Sequence, residues 1–155
     1  MSNENRLRVG IASLSSVHVA HLLCAFSTSS QKHWPRIHKT FQLLREWVVG
    51  FGLDPDTLLH IGIPSLDDKG LTTYDCCIEF PLPIDEESNG VSQITLPGGK
   101  YAVLRIKKSP ALISKAIRRF RGDYLPDNRI TVDQSRPIYE IYYVDTMEYC
   151  VPILV

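Results

Sequence analysis

The sequence lacks an excess of charge of either sign, since 17 basic residues balance 17 acidic residues and the formal net charge is zero. Nucleic-acid-binding and membrane-surface proteins usually carry a basic excess, so this balance argues against both classes. No segment approaches the roughly 20 consecutive apolar residues of a membrane span. The N-terminal stretch MSNENRLRVG has no apolar run of the signal-peptide kind. These absences predict a cytoplasmic protein that neither binds nucleic acid directly nor associates with membranes.

Cysteine is scarce, and its spacing does not favour a metal site. The four cysteines lie in apolar, strand-like runs without a CxxC motif, at Cys24, Cys76, Cys77 and Cys150. Because adjacent residues of a strand point to opposite faces, the thiols of Cys76 and Cys77 cannot bind one metal ion in the usual way. We therefore expect reduced core cysteines, no metal and no other cofactor.

The sequence does contain a repeated order of strands and helices. An apolar fraction of 44% suffices for a core, and 155 residues fit one domain or two small halves that share one core. Apolar periodicity predicts strand–helix–strand–strand over about residues 17–80 and again over about 91–154, within a single domain 1–155. Residues 1–16, with serines at the end, are predicted to be a tail or a leading strand.

The predicted elements follow from apolar alternation, helical stripes and turn residues. In chain order they are strand Val17–Ala25, a helix from Trp34 to Val48, strands Leu58–Ile63 and Tyr74–Phe80, a linker Pro81–Gly90, a short run Val91–Leu96, strand Lys100–Ile106, a helix opened by Ser109-Pro110, a loop Gly122–Asp133, and strands Arg136–Asp145 and Tyr149–Leu154.

The first helix carries an unusually aromatic stripe. Apolar residues recur at three and four positions, and two further aromatics widen the stripe, which comprises Trp34, Ile37, Phe41, Leu44, Trp47, Val48 and Phe51. Core packing alone explains most of it. Two tryptophans and two phenylalanines exceed what packing needs, so Phe41 and Trp47 are also candidate ligand contacts.

A single carboxylate stands out in the stretch RPIYEIYYVD, residues Arg136–Asp145. Alternation places Ile138, Glu140 and Tyr142 on one face of a strand, with apolar or aromatic residues on the other. A carboxylate between Ile138 and Tyr142 must find a cation, find hydrogen-bond donors or take up a proton. A pocket for a cationic or amphipathic small molecule explains this placement. The alternative is a simple ion pair with Arg105 or another basic residue, which is compatible with ligand binding.

Together these patterns predict an α+β fold. Two β-α-β-β units can form one antiparallel sheet with both helices on one side. The helices would then flank a central ligand cleft whose floor is the sheet, and Glu140 would stand in that cleft if its face is the helix side.

Several stretches resemble the GyrI-like small-molecule-binding domain, also known as the effector-binding domain of AraC-type transcription activators. The resemblance runs from about Val17 to the C-terminus and depends on the order and spacing of motifs that are weak individually. They are TTYDCCIEFP, LPGGKYAVLRIKKSP, YLP, RPIYEIYYVD and YCVPIL, with the helix FQLLREWVVGFGL. The resemblance implies a duplicated β-α-β-β fold with a central cleft.

The resemblance also implies roles for individual residues. In the family, an acidic residue of the PxxEIY-type strand recognises cationic ligands, which maps onto Glu140. The tyrosine of GGxYA maps onto Tyr101, and the aromatic before LP maps onto Tyr124. The predicted ligand-binding set, with neighbours on the strand and the first helix, is Glu140, Tyr101, Tyr124, Tyr142, Phe41, Trp47 and Ile138. The family's Gly-Pro-Tyr-type turn is replaced here by residues 27–34.

Three functions fit these expectations. The first is binding of amphipathic, cationic aromatic compounds, linked to transcription regulation through a protein partner that supplies the DNA-binding part, since no helix-turn-helix stretch is visible. The second is hydrolysis of strained electrophilic compounds, with Glu140 as base and Tyr101 or Tyr124 as orienting group. No Ser/His/Asp set is visible in the sequence. The third, by analogy with the family, is a protein interaction such as gyrase inhibition.

Overall fold

Eight strands and two helices form the framework of the chain. The computed structural model describes residues 7–26, 33–68, 70–84 and 90–155. The strands are β1 (Arg8–Leu14), β2 (Val17–Ala25), β3 (His60–Asp67), β4 (Gly70–Glu79), β5 (Ser92–Leu96), β6 (Gly99–Lys107), β7 (Tyr139–Tyr142) and β8 (Thr146–Pro152); the helices are α1 (His33–Val49) and α2 (Pro110–Arg119). The predicted α+β class is confirmed. Residues 27–32, in the segment that replaces the family's turn, and residues 85–89 of the predicted linker lie outside the described residues.

One compact unit comprises Ser16–Pro97, which we call the middle unit. Its four strands pair antiparallel in the order β3-β4-β2-β5. Helix α1 presents its apolar stripe to one face of this sheet. The buried core between them includes Ala20, Cys24, Ile37, Leu44, Val48, Tyr74, Cys76, Ile78 and Phe80.

A second compact unit comprises Gly98–Val155 together with residues up to Ser15, which we call the terminal unit. Its strands also pair antiparallel, in the order β7-β8-β6-β1. Helix α2 packs on one face through Ile113, Ala116 and Ile117. The core beneath it contains Ala102, Leu104, Ile106, Phe120, Leu125, Met147, Tyr149, Val151 and Ile153.

Two strands differ from the predicted division of the chain. Residues Arg8–Leu14, for which a tail or a leading strand was predicted, form β1 and pair with β6. The run after the linker forms β5 and pairs with β2, so it belongs to the sheet of the middle unit and not to the predicted repeat 91–154. Each unit is therefore a β-α-β-β arrangement with one additional strand beside its first strand.

Helical structure extends further than predicted after α2. The chain continues through a wide helical turn, Phe120–Tyr124, and a last turn, Leu125–Asp127, where the sequence predicted a loop from Gly122. Phe120 and Leu125 are buried in the core of the terminal unit, so packing of these side chains holds the extra turns despite Gly122 and Pro126. The prediction of reduced core cysteines is confirmed, because all four are free and buried.

Candidate functional site

The side chain of Glu140 lies on the α2 face of the terminal sheet. In the register between β7 and β8, Glu140 pairs with Tyr149 and Tyr142 pairs with Met147. Directly paired residues share a face, and Tyr149 and Met147 belong to the core beneath α2. Ile138 and Tyr142 pack against the same core, so the predicted alternation of Ile138, Glu140 and Tyr142 is confirmed.

The carboxylate of Glu140 is held among aromatic and apolar groups. The hydroxyl of Tyr142 donates a hydrogen bond to Oε1 of Glu140 over 3.2 Å. The ammonium group of Lys108 lies 5.7 Å from the centre of the Tyr142 ring. Ile138, Glu140 and Tyr142 are all half-buried, so this part of the face keeps contact with solvent.

Tyr149 is a residue of this face that the sequence did not single out. It is only 6% exposed, and its hydroxyl accepts a hydrogen bond from Nη1 of Arg121 over 3.1 Å. Burial raises the pKa of Tyr149, Arg121 lowers it, and the charge of Glu140 raises it. The pairing of Glu140 with Tyr149 depends on the register of β7 and β8, which the alternation within one strand does not specify.

Tyr124 extends this aromatic group at the end of the helical turns. It is half-buried against the terminal core, and its ring centre lies 5.9 Å from that of Phe120. Phe120 in turn contacts the edge of Tyr149, with ring centres 6.1 Å apart. The face therefore carries a carboxylate hydrogen-bonded to Tyr142 and a connected set of rings, Tyr149, Phe120 and Tyr124. The half-buried rings of Tyr142 and Tyr124 can stack on an aromatic ligand and attract its positive charge.

Tyr101 lies on the face of the terminal sheet opposite to Glu140, and its contact with a ligand stays a prediction. Its neighbours Ala102 and Leu104 belong to the α2 core, so alternation turns Tyr101 to the opposite face. There it is fully buried, donates a hydrogen bond to the carbonyl oxygen of Pro137 over 3.1 Å and stacks on Tyr139 at 5.2 Å. Burial raises its pKa. These contacts give Tyr101 a packing role.

Arg105, named above as one possible ion-pair partner of Glu140, lies on the other face of the sheet. The guanidinium of Arg105 contacts the carboxylate of Glu148 over 3.1 Å, and both residues lie on the face opposite α2 because they alternate with Leu104 and Tyr149. Glu148 also accepts a hydrogen bond from the hydroxyl of Tyr143 over 2.7 Å. The sequence predicted that the carboxylate of Glu140 needs partners. It did not predict that Arg105 contacts Glu148 instead.

Phe41 and Trp47 lie in the middle unit on α1. Both are half-buried against its core. The Phe41 ring is 6.0 Å from the ring of His60, and Trp47 lies 4.5 Å from Phe51 and 5.1 Å from Phe80, measured between ring centres. Their packing role is clear, and their contact with a ligand stays a prediction.

The described part of the chain contains no group of three or more His, Cys, Asp or Glu side chains that could hold a metal ion. Across the same residues, none of the helices combines the length and the apolar character that crossing a membrane requires.

Comparisons with known proteins agree with this fold. Residues 21–154 match the family model described as the GyrI-like small molecule binding domain. No curated protein sequence matches the chain. The structure of SAV2435 bound to tetraphenylphosphonium is similar, with a TM-score of 0.61 and 16% identity, covering 95% of this chain and 94% of that chain.

EcmrR provides two further similar structures. Its C-terminal domain gives a TM-score of 0.65 at 12% identity, covering 96% of this chain and 98% of that domain. EcmrR in a DNA complex gives a TM-score of 0.74 at 10% identity, covering 95% of this chain but 57% of that chain. At such identities the likeness shows the shared fold alone.

Proposed function

This chain belongs to the GyrI-like small-molecule-binding family, and we propose that its ligands are amphipathic cations that carry aromatic groups. The observation that carries the proposal is the half-buried carboxylate of Glu140 on the α2 face, beside Tyr142 and paired with Tyr149. We assign the site to Glu140, Ile138, Tyr142, Tyr149 and Tyr124 in the terminal unit.

The chemistry of these groups favours a cation over a neutral ligand. A carboxylate surrounded by rings attracts positive charge, and tyrosine faces add a cation–π attraction. Apolar ligand groups gain from contact with Ile138 and the tyrosine rings because their surface leaves water. The structure of SAV2435 with tetraphenylphosphonium provides an amphipathic aromatic cation as a probe. Its use for this chain follows from the fold and the family.

Two ions of equal shape and opposite charge test the proposal. Tetraphenylphosphonium and tetraphenylborate should be titrated calorimetrically against wild type and Glu140→Gln, in sodium buffer at fixed ionic strength. Loss of a charge-assisted contact is worth roughly 1.5–3 kcal/mol, about ten- to a hundredfold in affinity. We expect that loss for the cation in Glu140→Gln and no loss for the anion.

A second carboxylate of the same unit serves as a matched control. Glu148 neighbours Tyr149 in sequence but lies on the opposite face with Arg105, so Glu148→Gln should leave tetraphenylphosphonium affinity within about twofold, since a difference of 0.4 kcal/mol is near the error of such titrations. Equal loss of both ions in Glu140→Gln would show that Glu140 acts through fold stability. Unchanged affinity for the cation would reject Glu140 as its partner.

The predicted contributions of Phe41 and Trp47 need a separate measurement. The chain has two tryptophans, Trp34 and Trp47, so Trp47→Phe leaves Trp34 as the single indole emitter. Quenching of emission by tetraphenylphosphonium in wild type that is lost in Trp47→Phe would support a role of Trp47 in binding. Emission that the ligand leaves unchanged would remove Trp47 from the site.

We further propose that ligand binding serves transcription regulation through a protein partner that supplies the DNA contact. The fold shared with EcmrR, which has been solved in a DNA complex, supports this proposal, and the zero net charge of the chain argues against DNA binding by itself. Anisotropy of labelled duplex DNA should stay constant when the isolated chain is added. Tight, salt-sensitive DNA binding by the chain alone would contradict the proposal.

Hydrolysis centred on Glu140 has weaker support than binding. One of its two proposed orienting groups, Tyr101, lies on the other face of the sheet and donates its hydroxyl hydrogen to Pro137. No observation on the α2 face favours turnover over binding.

A further inference from the structure

Three polar side chains meet on neighbouring strands of the middle unit, on the face opposite α1. His21 of β2 pairs directly with Ser92 of β5 and with Cys77 of β4. Asp75 lies two residues before Cys77 and therefore on the same face. Cys76 and Ile78 alternate with them and pack beneath α1, which shows that the three polar side chains lie on the other side of the sheet.

The distances among them are those of a nucleophile, a base and an orienting carboxylate. Nδ1 of His21 lies 2.9 Å from Oδ1 and 3.0 Å from Oδ2 of Asp75. Nε2 of the same ring lies 2.8 Å from Oγ of Ser92. A carboxylate only accepts hydrogen bonds, so Nδ1 carries a hydrogen, and in the neutral form of the ring Nε2 presents a lone pair. In that form Ser92 donates its hydroxyl hydrogen to His21.

A second pair on the same two strands provides an internal comparison. Nδ1 of His18 lies 2.7 Å from Oγ1 of Thr95, and this pair occupies the α1 face because His18 alternates with His21. Thr95 contacts the nitrogen that Asp75 orients in the other histidine. Ser92 is therefore hydrogen-bonded to a histidine that a carboxylate orients. Thr95 is hydrogen-bonded to a histidine through the nitrogen that the carboxylate occupies in the other pair, so it serves as the control hydroxyl.

The three side chains are accessible to a small molecule, whereas the neighbouring thiol of Cys77 is not. The side chains of His21 and Asp75 keep 21% and 17% of their surface exposed, so a small molecule can reach them while water is partly excluded. Cys77 beside them is fully buried, and burial raises the pKa of its thiol. Its thiol therefore stays protonated near neutral pH and does not act as a rival nucleophile.

We propose that Ser92, His21 and Asp75 form a second reactive site, in which Ser92 accepts acyl groups from small activated carboxylic esters. The proposal rests on the geometry of these three side chains and is independent of the ligand site at Glu140. Hydroxyl, imidazole and carboxylate in this order are recognised as a nucleophilic set by their mutual distances and roles, not by sequence order or fold.

The reaction balances with water as the second reactant. Oγ of Ser92 forms a bond to the ester carbonyl carbon while Nε2 of His21 takes the hydroxyl proton. The bond from the carbonyl carbon to the alcohol oxygen then breaks, and the alcohol leaves with that proton. Water attacks the acyl-serine, His21 takes a proton from the water and returns it to Oγ, and the carboxylic acid is released. Asp75 stabilises the imidazolium in both steps.

Labelling with an alkyl fluorophosphonate tests the site, because an activated serine displaces fluoride from phosphorus. Peptide mass spectrometry of the folded full chain should locate the adduct at Ser92 and none at Thr95. General-base assistance contributes about 10²–10⁴-fold in rate, so His21→Gln should slow labelling of Ser92 by at least about a hundredfold. Asp75→Asn should slow it in the same direction, and Ser92→Ala should abolish it.

Hydrolysis of p-nitrophenyl acetate provides the second measurement. Wild type and Thr95→Ala should release p-nitrophenol at the same rate, with acetylation of Ser92, and Ser92→Ala should fall to the uncatalysed background. Circular dichroism checks that each variant folds. If His21→Gln does not fold, labelling in wild type tests the proposal instead: an adduct at Ser92 and none at Thr95 supports it, and equal labelling of the two residues contradicts it. Absence of an adduct at Ser92, or a labelling rate unchanged in His21→Gln, would overturn the proposal.

Discussion

The two units differ in the residues that the first strand after the helix presents to the helix. In the terminal unit this strand is β7, and its α2 face carries the carboxylate of Glu140 between Ile138 and Tyr142. In the middle unit it is β3, where Gly62 pairs with Cys76 of the α1 core. The same order of strands and helix therefore places a carboxylate on this strand in one unit and a glycine in the other.

The middle unit fills this space with Tyr74. A Cβ atom added at Gly62 would lie 1.9 Å from the Tyr74 hydroxyl oxygen, so the tyrosine occupies the volume that a side chain on β3 would need. His60, two residues earlier, is likewise engaged: Nε2 lies 2.8 Å from Nη1 of Arg45 and Nδ1 lies 2.9 Å from the Leu58 carbonyl oxygen. Arginine only donates, so Nε2 accepts and the ring is neutral. The contrast supports the ligand site that we propose in the terminal unit.

The largest effect is expected from adding a methyl group in the middle unit. Gly62→Ala must displace Tyr74, which is only 2% exposed, and overpacking of this kind costs about 1–3 kcal/mol. The free energy of unfolding measured with urea should fall by that amount. Gly10→Ala in β1 is the control, because a Cβ there meets no atom within 4 Å and should be neutral or slightly stabilising. Equal stability of both variants would show that Tyr74 does not close this face.

A smaller effect should appear in the titration of Tyr149 in the terminal unit. Because Glu140 raises its pKa and Arg121 lowers it, Glu140→Gln should lower the pKa of Tyr149 and Arg121→Gln should raise it. Tyrosine-ring carbon shifts followed by NMR, with Tyr149→Phe to assign the signal, measure both changes. Shifts of the same sign in the two variants would contradict the arrangement of Glu140, Tyr149 and Arg121.

The sign of the stability change follows from the same shift. The folded-state pKa of Tyr149 is raised, so the unfolded chain releases this proton first as the pH increases above about 10. The contribution of the protonated hydroxyl is therefore complete below that pH and is lost as the pH rises through the folded-state pKa. In Tyr149→Phe the free energy of unfolding should therefore fall less steeply with increasing pH above about 10 than in wild type.

The smallest effect is expected near the surface of the terminal unit, at Asp133. Hydrogen bonds from Ser135, followed by that from Arg136, lower the pKa of Asp133 from 3.8 to about 2. A lowered carboxyl pKa gives stability that is present above pH 3.8 and lost as the pH falls towards 2. Asp133→Asn should flatten the thermal stability profile over this window. A profile that remains as steep as in wild type would assign the acid limb to other carboxyls.

The sequence predicted well those features that depend on periodicity along one element. The stripe from Ile37 to Val48 identified α1 and its buried face, and alternation identified Glu140 as a carboxylate flanked by Ile138 and Tyr142. Both depend on repeats of 3.6 or 2 residues. The extra helical turns after α2 were missed because Gly122 and Pro126 suggest a loop, whereas burial of Phe120 and Leu125 holds the turns in place.

Pairing between elements could not be predicted in the same way. Both faces of β6 carry apolar residues, so the sequence does not say whether Tyr101 or Ala102 meets the helix. The set of Ser92, His21 and Asp75 was missed because its members lie 71 and 54 residues apart. The cross-strand register alone brings them together.

By itself the sequence determined which residues of each helix and strand share a face, because side-chain direction repeats with the local backbone geometry. It thereby determined that a carboxylate would stand among apolar neighbours at Glu140. Only the tertiary structure decided which face each helix covers, that Glu140 lies opposite Tyr149, and that Ser92 reaches His21. Those contacts depend on strand order and register, which are selected by packing over the whole unit.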